Sequence, residues 1–233
     1  MDEKNDVVYV PMSIKEYINR FYKNALLYSY DDKTILVISI DDLDADPRKN
    51  DNLWTIIFFL RDYEIGDYKW KKEHGIRYSV DLKDYLQENY DNSQDYILAG
   101  LIFRDYRHYG EIEDYEIIDI EDMDGYDGYA FVNKQDVIKY LGNEKEVMLD
   151  LLNDRDLIKS AIDILEKEIL ILNCYLCNEV YSYTLIDRNT MNIIDESHYF
   201  YCRNSIKNMR NYVDVQYQHL FDELKDRWDD IYE

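Results

Sequence analysis

Apolar residues recur at Val147, Leu151, Leu152, Leu157, Ile158, Ile162, Leu165 and Ile169, close to the 3.6-residue period of an α-helix. The spacing predicts one long helix from about Glu144 to Tyr175 whose apolar stripe must face a core. No apolar run is long enough to cross a membrane: Ile35 to Ile40, Thr55 to Leu60 and Ile169 to Leu172 all fall far short of the roughly 20 residues a spanning helix needs.

The rest of the chain alternates irregularly between strand and helix signals. Ser13 and Glu16 have capping-box spacing and start a helix expected to reach Tyr28. Strands are expected at Thr34 to Asp41, Leu53 to Asp62, Tyr96 to Phe103 and Tyr129 to Val132, with a short one at Tyr115 to Ile120. Leu82 to Tyr90 and Lys134 to Leu141 read as helices, the latter stopped by Gly142. Glu64 to Gly75 reads as a polar connection and Arg104 to Gly128 as largely irregular. Glu179 to Ile186 and Met191 to Ile194 read as a hairpin, followed by closing helices at Ser205 to Tyr212 and Tyr217 to Asp230. Without a clean βαβ alternation the class is α+β, with a mixed, mainly antiparallel sheet, the long helix and the closing helices. A division into 1–133 and 134–233 is expected, or one continuous domain, because no flexible linker marks the boundary.

Of the 233 residues, 46% are hydrophobic and 15% aromatic, enough for a core and too many for disorder. Seven Gly and two Pro leave no Gly-rich phosphate cradle and no Pro-rich linker. The formal charge of -23 disfavours direct binding to nucleic acid or an anionic membrane. The N-terminus lacks a basic segment followed by an apolar one, so no signal peptide is read there. The three cysteines, Cys174, Cys177 and Cys202, then read as free thiols in a reducing cytosol.

The acids are clustered. Asp105, Glu111, Glu113, Asp114, Glu116, Asp119, Glu121, Asp122, Asp124 and Asp127 are opposed only by Arg107, a local charge of -9. Asp42, Asp44 and Asp46, beside Asp41, form a second cluster. One reading is a solvated acidic surface that keeps the chain dispersed. The other is imitation of a nucleic-acid backbone, which carries about one charge per 1.7 Å of duplex axis. Tyr106, Tyr115 and Tyr126 are interleaved with the acids and would add contact area and faces for arginine; core filling is the plain alternative for the 25 tyrosines.

Catalytic and metal motifs do not emerge. Asp42, Asp44 and Asp46 begin like a calcium loop, but Pro47 stands where the turn needs glycine. Cys174, Cys177, His198 and Cys202 have tolerable zinc spacing without the usual knuckle, and buried thiols are the simpler reading. His74, His108, His198 and His219 lie in no recognisable catalytic pattern. The expectation is a non-enzymatic protein with no metal and no cofactor.

Three segments carry a resemblance. The first runs from Asp46-Pro47-Arg48 through Asp51-Asn52-Leu53-Trp54-Thr55 to Arg61-Asp62-Tyr63-Glu64-Ile65-Gly66-Asp67. The second joins Asp105-Tyr106-Arg107-His108-Tyr109-Gly110 to Gly125-Tyr126-Asp127-Gly128-Tyr129-Ala130-Phe131-Val132. The third spans Tyr175-Leu176, Glu179-Val180-Tyr181-Ser182-Tyr183 and the stretch from Ile194 to Tyr201. Together these resemble a widespread group of acidic proteins encoded by bacteriophages and mobile elements of low-GC bacteria. The chain departs from the group at Asp119 to Gly125, where it is more acidic. The resemblance implies an accessory protein acting in the host bacterial cytoplasm, of the anti-CRISPR or antirestriction kind. With the charge pattern, it leads to the expectation of an inhibitor that blocks the basic nucleic-acid channel of a CRISPR effector or restriction enzyme by DNA mimicry. The ten acids of 105–127 are its first contact surface, with Asp42, Asp44, Asp46 and the three interleaved tyrosines contributing. The alternatives are shape-based binding without mimicry, or a metal-dependent enzyme using an acidic cluster.

Overall fold

The computed structural model describes residues 12–41, 45–60, 64–90, 95–106, 109–144, 154–224 and 227. In chain order its regular elements begin α1 (Ile14–Phe21), β1 (Ala25–Tyr30), β2 (Thr34–Ile40), β3 (Thr55–Phe58), α2 (Tyr68–Glu73), α3 (Ser79–Asn89), β4 (Tyr96–Tyr106) and β5 (Tyr109–Ile117). They continue with β6 (Gly128–Asn133), α4 (Lys134–Glu144), α5 (Asp154–Leu176), β7 (Val180–Asp187), β8 (Ile193–Tyr201), α6 (Arg203–Met209) and α7 (Gln218–Asp222).

The α+β class holds, but as two four-stranded sheets rather than one mixed sheet, and every strand pair is antiparallel. The chain forms two compact units, one of Met1–Ala45 with Glu179–Glu233 and one of Asp46–Asn178. These limits do not follow the 133/134 division. The reason is long-range pairing: Thr34 to Ile40 of β2 lie in register with Asp187 to Tyr181 of β7, which joins strands far apart in the chain into one sheet.

In that first unit the strand order is β1-β2-β7-β8. Alternate residues of each strand face opposite sides. Ile35, Val37 and Ile186 pack with Ile18 of α1. Leu36, Ile38, Tyr183 and Leu185 pack with Ile206, Met209, Leu220 and Phe221 from α6, α7 and their surroundings. The expected capping box is present: Ser13 Oγ accepts from the Glu16 amide at 3.2 Å and Glu16 Oε2 accepts from the Ser13 amide at 2.8 Å. The helix ends at Phe21, not near Tyr28. Residues 25–30 pair with β2 instead, turned by Asp31, whose Oδ1 accepts from the Lys33 and Thr34 amides, each at 2.7 Å.

The second unit orders its strands β3-β6-β4-β5. Ile97, Ala99, Leu101, Ala130 and Val132 face α5, which buries Leu157, Ala161, Leu165, Ile169 and Leu172. Leu98, Tyr129 and Phe131 face Leu82 and Leu86 of α3. The long helix turns its stripe to the core as expected, but it is described from Asp154, and Glu144, its expected start, belongs to α4; Val147, Leu151 and Leu152 lie outside the described residues. Trp54 anchors the helix: it is 1% exposed and its indole Nε1 donates to the Ala161 carbonyl at 3.0 Å. Several boundaries shift. The stretch expected to be irregular contains the last three residues of β4 and all of β5, so the strand lies at 109–117 rather than 115–120. The connection 64–75 contains α2, and α4 passes through Gly142. The cysteines are a further correction: neither Cys174 nor Cys202 is a free thiol, and Cys177 is a half-buried thiol outside any disulfide. The reading of three free thiols is thus overturned at Cys174 and Cys202.

Candidate functional site

β5 is an edge strand of the second unit, and it is held there by more than its pairing with β4. Asn173 of α5 reaches its backbone, donating Nδ2 to the Ile112 carbonyl at 2.9 Å and accepting from the Ile112 amide at 2.8 Å. A register irregularity at Ile102/Phe103 in β4 is held by Asp127, whose Oδ2 accepts from the Phe103 amide at 2.9 Å. Beyond β5, a 3₁₀ turn at Ile120–Asp122 is pinned by burial of Ile120 and Met123 in the core on the α3 side.

These anchors place the acids. Asp114 and Glu116 are both exposed, two residues apart on β5, which separates their positions by about 7 Å along one face. Asp119, Glu121, Asp122 and Asp124 are exposed around the 3₁₀ turn. Three tyrosines lie among these carboxylates, Asp114 apart. The Tyr126 phenol is raised by burial, then by accepting carboxylate Glu116 at 3.0 Å, with Asp122 adding to it. Tyr96 is raised by burial and then by Asp119 and Glu121, and Tyr129 by burial and then by Asp124. Tyr126 seats flat because its ring lies over Gly100, where any Cβ would overlap it. Lys83 of α3 pairs with Glu121 at 2.8 Å.

The other expected contact residues separate from this group. Asp127 is consumed by the Phe103 amide and Asp46 by capping, its Oδ1 accepting from the Arg48 amide at 2.9 Å. Glu113 pairs with Arg104, and Glu111 stands opposite Arg104 across the strands. Tyr115 donates to Glu166 of α5 at 2.6 Å, and burial followed by that bond raises its phenol to about 12. Asp105 is exposed near the end of β4; of Tyr106 only the backbone, paired with Tyr109, is described. Asp42 and Asp44 lie outside the described residues.

One feature of this unit was not legible in the charge pattern. Arg48, with 3% of its side chain exposed, donates to Asp67 at 2.6 Å, to Glu168 of α5 at 2.7 Å and to the Trp54 carbonyl. Burial opposes its charge, but Asp67 and then Glu168 outweigh burial and hold its pKa above the ordinary value. Glu168 Oε1 accepts from the Leu53 amide at 2.8 Å, and Asp67 Oδ2 from the Ile56 amide at 2.7 Å. Arg48 and Asp67 lie near the two ends of the segment 46–67, and with Glu168 they tie it to α5. The available signal was a lone Arg among acids; nothing local identified Glu168 as its partner.

Among the described residues no group of three His, Cys, Asp or Glu side chains converges to hold a metal ion, and no helix is long and apolar enough to cross a membrane. No family model, curated protein or solved structure matches the chain.

Proposed function

We propose that the protein is a non-enzymatic binding protein that offers the carboxylate face of its second unit to a basic, nucleic-acid-binding protein in place of nucleic acid. The observation that carries this reading is the grouping of Glu116, Asp119, Glu121, Asp122 and Asp124 around Tyr96, Tyr126 and Tyr129, with Asp114 exposed two residues from Glu116, on supports that do not rely on one another: an edge strand tied by Asn173 and a turn anchored by Ile120 and Met123. Carboxylates already held in place lose less freedom on binding than those of a flexible acidic tail. Tyr126 and the exposed Ile102 supply contact area beside them. The resemblance to phage accessory proteins supports a CRISPR effector or restriction enzyme as the partner and the bacterial cytoplasm as the place of action.

The experiment is a pull-down from lysate of a bacterium carrying such a defence system, washed at low and high salt and challenged with duplex DNA. A nuclease or effector that elutes with salt and is displaced by DNA supports mimicry, because screening shortens to a few ångströms near 1 M salt. The same partner retained against salt and DNA favours recognition by shape. The joint variant Asp119→Asn, Glu121→Gln, Asp122→Asn, Asp124→Asn is expected to bind more weakly and with a shallower salt dependence. If it binds as the parent does, the assignment of this face is wrong.

A further inference from the structure

In the first unit, the sheet face beneath α1 changes character along its length. Ile35, Val37 and Ile186 are covered by α1. Further along β2 and β7 the same face carries Ser39 and Ser182, which are in register with each other, and Thr184, in register with Val37 on one side and Glu196 on the other. Alternation puts these side chains on one face. The helix stops at Phe21, and past its end lies a groove of about 340 Å³ lined by Tyr22, Ser39, Ser182, Thr184, Glu196 and His198.

Its floor is buried and unpaired. Ser182 is 7% exposed and Thr184 8% exposed, and neither hydroxyl bonds to another described residue. Buried hydroxyls are nearly always paired, because an unmade bond costs the full desolvation of the group. Here the open side of both is the groove, so a bound molecule can complete them.

Its wall is oriented. Asp41, with 1% of its side chain exposed, accepts from the Tyr199 amide at 2.9 Å, and its Oδ1 lies 3.3 Å from His198 Nδ1. A carboxylate at Nδ1 favours the tautomer with its proton there, leaving Nε2 as an acceptor. The register of β7 and β8 shifts between Tyr181 and Tyr183, and Tyr199 is held at φ +65°, a strained conformation for an aromatic residue. The bulge thus aims His198 while Asp41 fixes it. Burial, then Tyr17 and Glu196, raises the Tyr22 phenol to about 12, so it stays protonated at neutral pH, and a hydrogen bond to Tyr17 orients it.

Charge around the groove balances: Arg20, Lys23 and Glu196 line it, and the buried Asp41, behind His198, adds the second negative charge. Hydroxyls, a phenol, a carboxylate and an imidazole acceptor together match a molecule with donors and acceptors on most of its carbons. The exposed ring of Phe21 adds an apolar flank for C–H groups. We propose that this groove binds a neutral, hydroxyl-rich small molecule, a mono- or disaccharide.

The test titrates the full, isotope-labelled chain with glucose, galactose, N-acetylglucosamine and maltose, and separately with inorganic phosphate and glutamate, following amide shifts. Saturable shifts at Ser39, Ser182, Thr184 and His198 with a saccharide are expected. Thr184→Val and Ser182→Ala, with thermal midpoints at or above the parent's, should each weaken that binding about tenfold, the worth of one hydrogen bond. Shifts of these amides by phosphate or glutamate alone would overturn the neutral-ligand assignment. No shift with any probe, or binding unaffected by both variants, would reject the site.

Discussion

Replacing Arg48 by methionine removes a charge while keeping much of the buried volume. In the parent the guanidinium bonds Asp67 at 2.6 Å and Glu168 at 2.7 Å, and those carboxylates are 17% and 10% exposed. In Arg48→Met both are left without their cation in a site that water barely reaches. Breaking a buried pair by deleting one partner costs about 3–5 kcal/mol, because the remaining charge is uncompensated. The backbone bonds accepted by Glu168 and Asp67 from Leu53 and Ile56 soften this but do not replace the charge. At about 2–4 °C per kcal/mol for a chain of this size, the midpoint of the second unit should fall by about 6–20 °C. Urea unfolding followed by Trp fluorescence reads the change directly, since Trp54 sits against the network. The triple variant Arg48→Met, Asp67→Asn, Glu168→Gln should recover a large part of the loss, since no buried charge is then unpaired. A loss below about 1 kcal/mol in Arg48→Met, or no recovery in the triple variant, would refute the view that an ion network ties 46–67 to α5.

Asn173→Ala strips two bonds from the exposed side of β5 and should destabilise by about 1–3 kcal/mol, with faster amide exchange at Ile112. Gly100→Ala drives a methyl into the Tyr126 ring; by alkaline titration of phenol absorbance the Tyr126 transition should fall back toward 10.0, and partner binding should weaken with it. Tyr22 and Tyr115 titrate near 12 in the folded chain against an ordinary 10.0. A raised folded value means the unfolded chain loses its protons first. Their stabilisation is whole below pH 10 and is lost as pH rises from 10 to about 12, so urea midpoints should fall across that window; a flat profile there would contradict these phenol environments.

The local signals in the sequence specified what depends on neighbours along the chain. The capping box at Ser13 and Glu16 formed because both partners lie within one turn. The stripe on α5 faces a core because period alone decides which side of a helix is apolar. The density of acids around 111–124 was also plain. The sequence was silent where partners are distant. Residues 25–30 have the apolar content for a helix, and only pairing with β2 makes them a strand. Asp127 and Asp46 looked like members of the acidic clusters, yet a backbone amide claims each of them. Glu168 carries no local signal of its role; the fold brings Arg48 to it across 120 positions. Hydrogen-bond partners and burial are set by which surfaces meet, so the difference between a displayed acid and a structural one was decided by the tertiary structure alone.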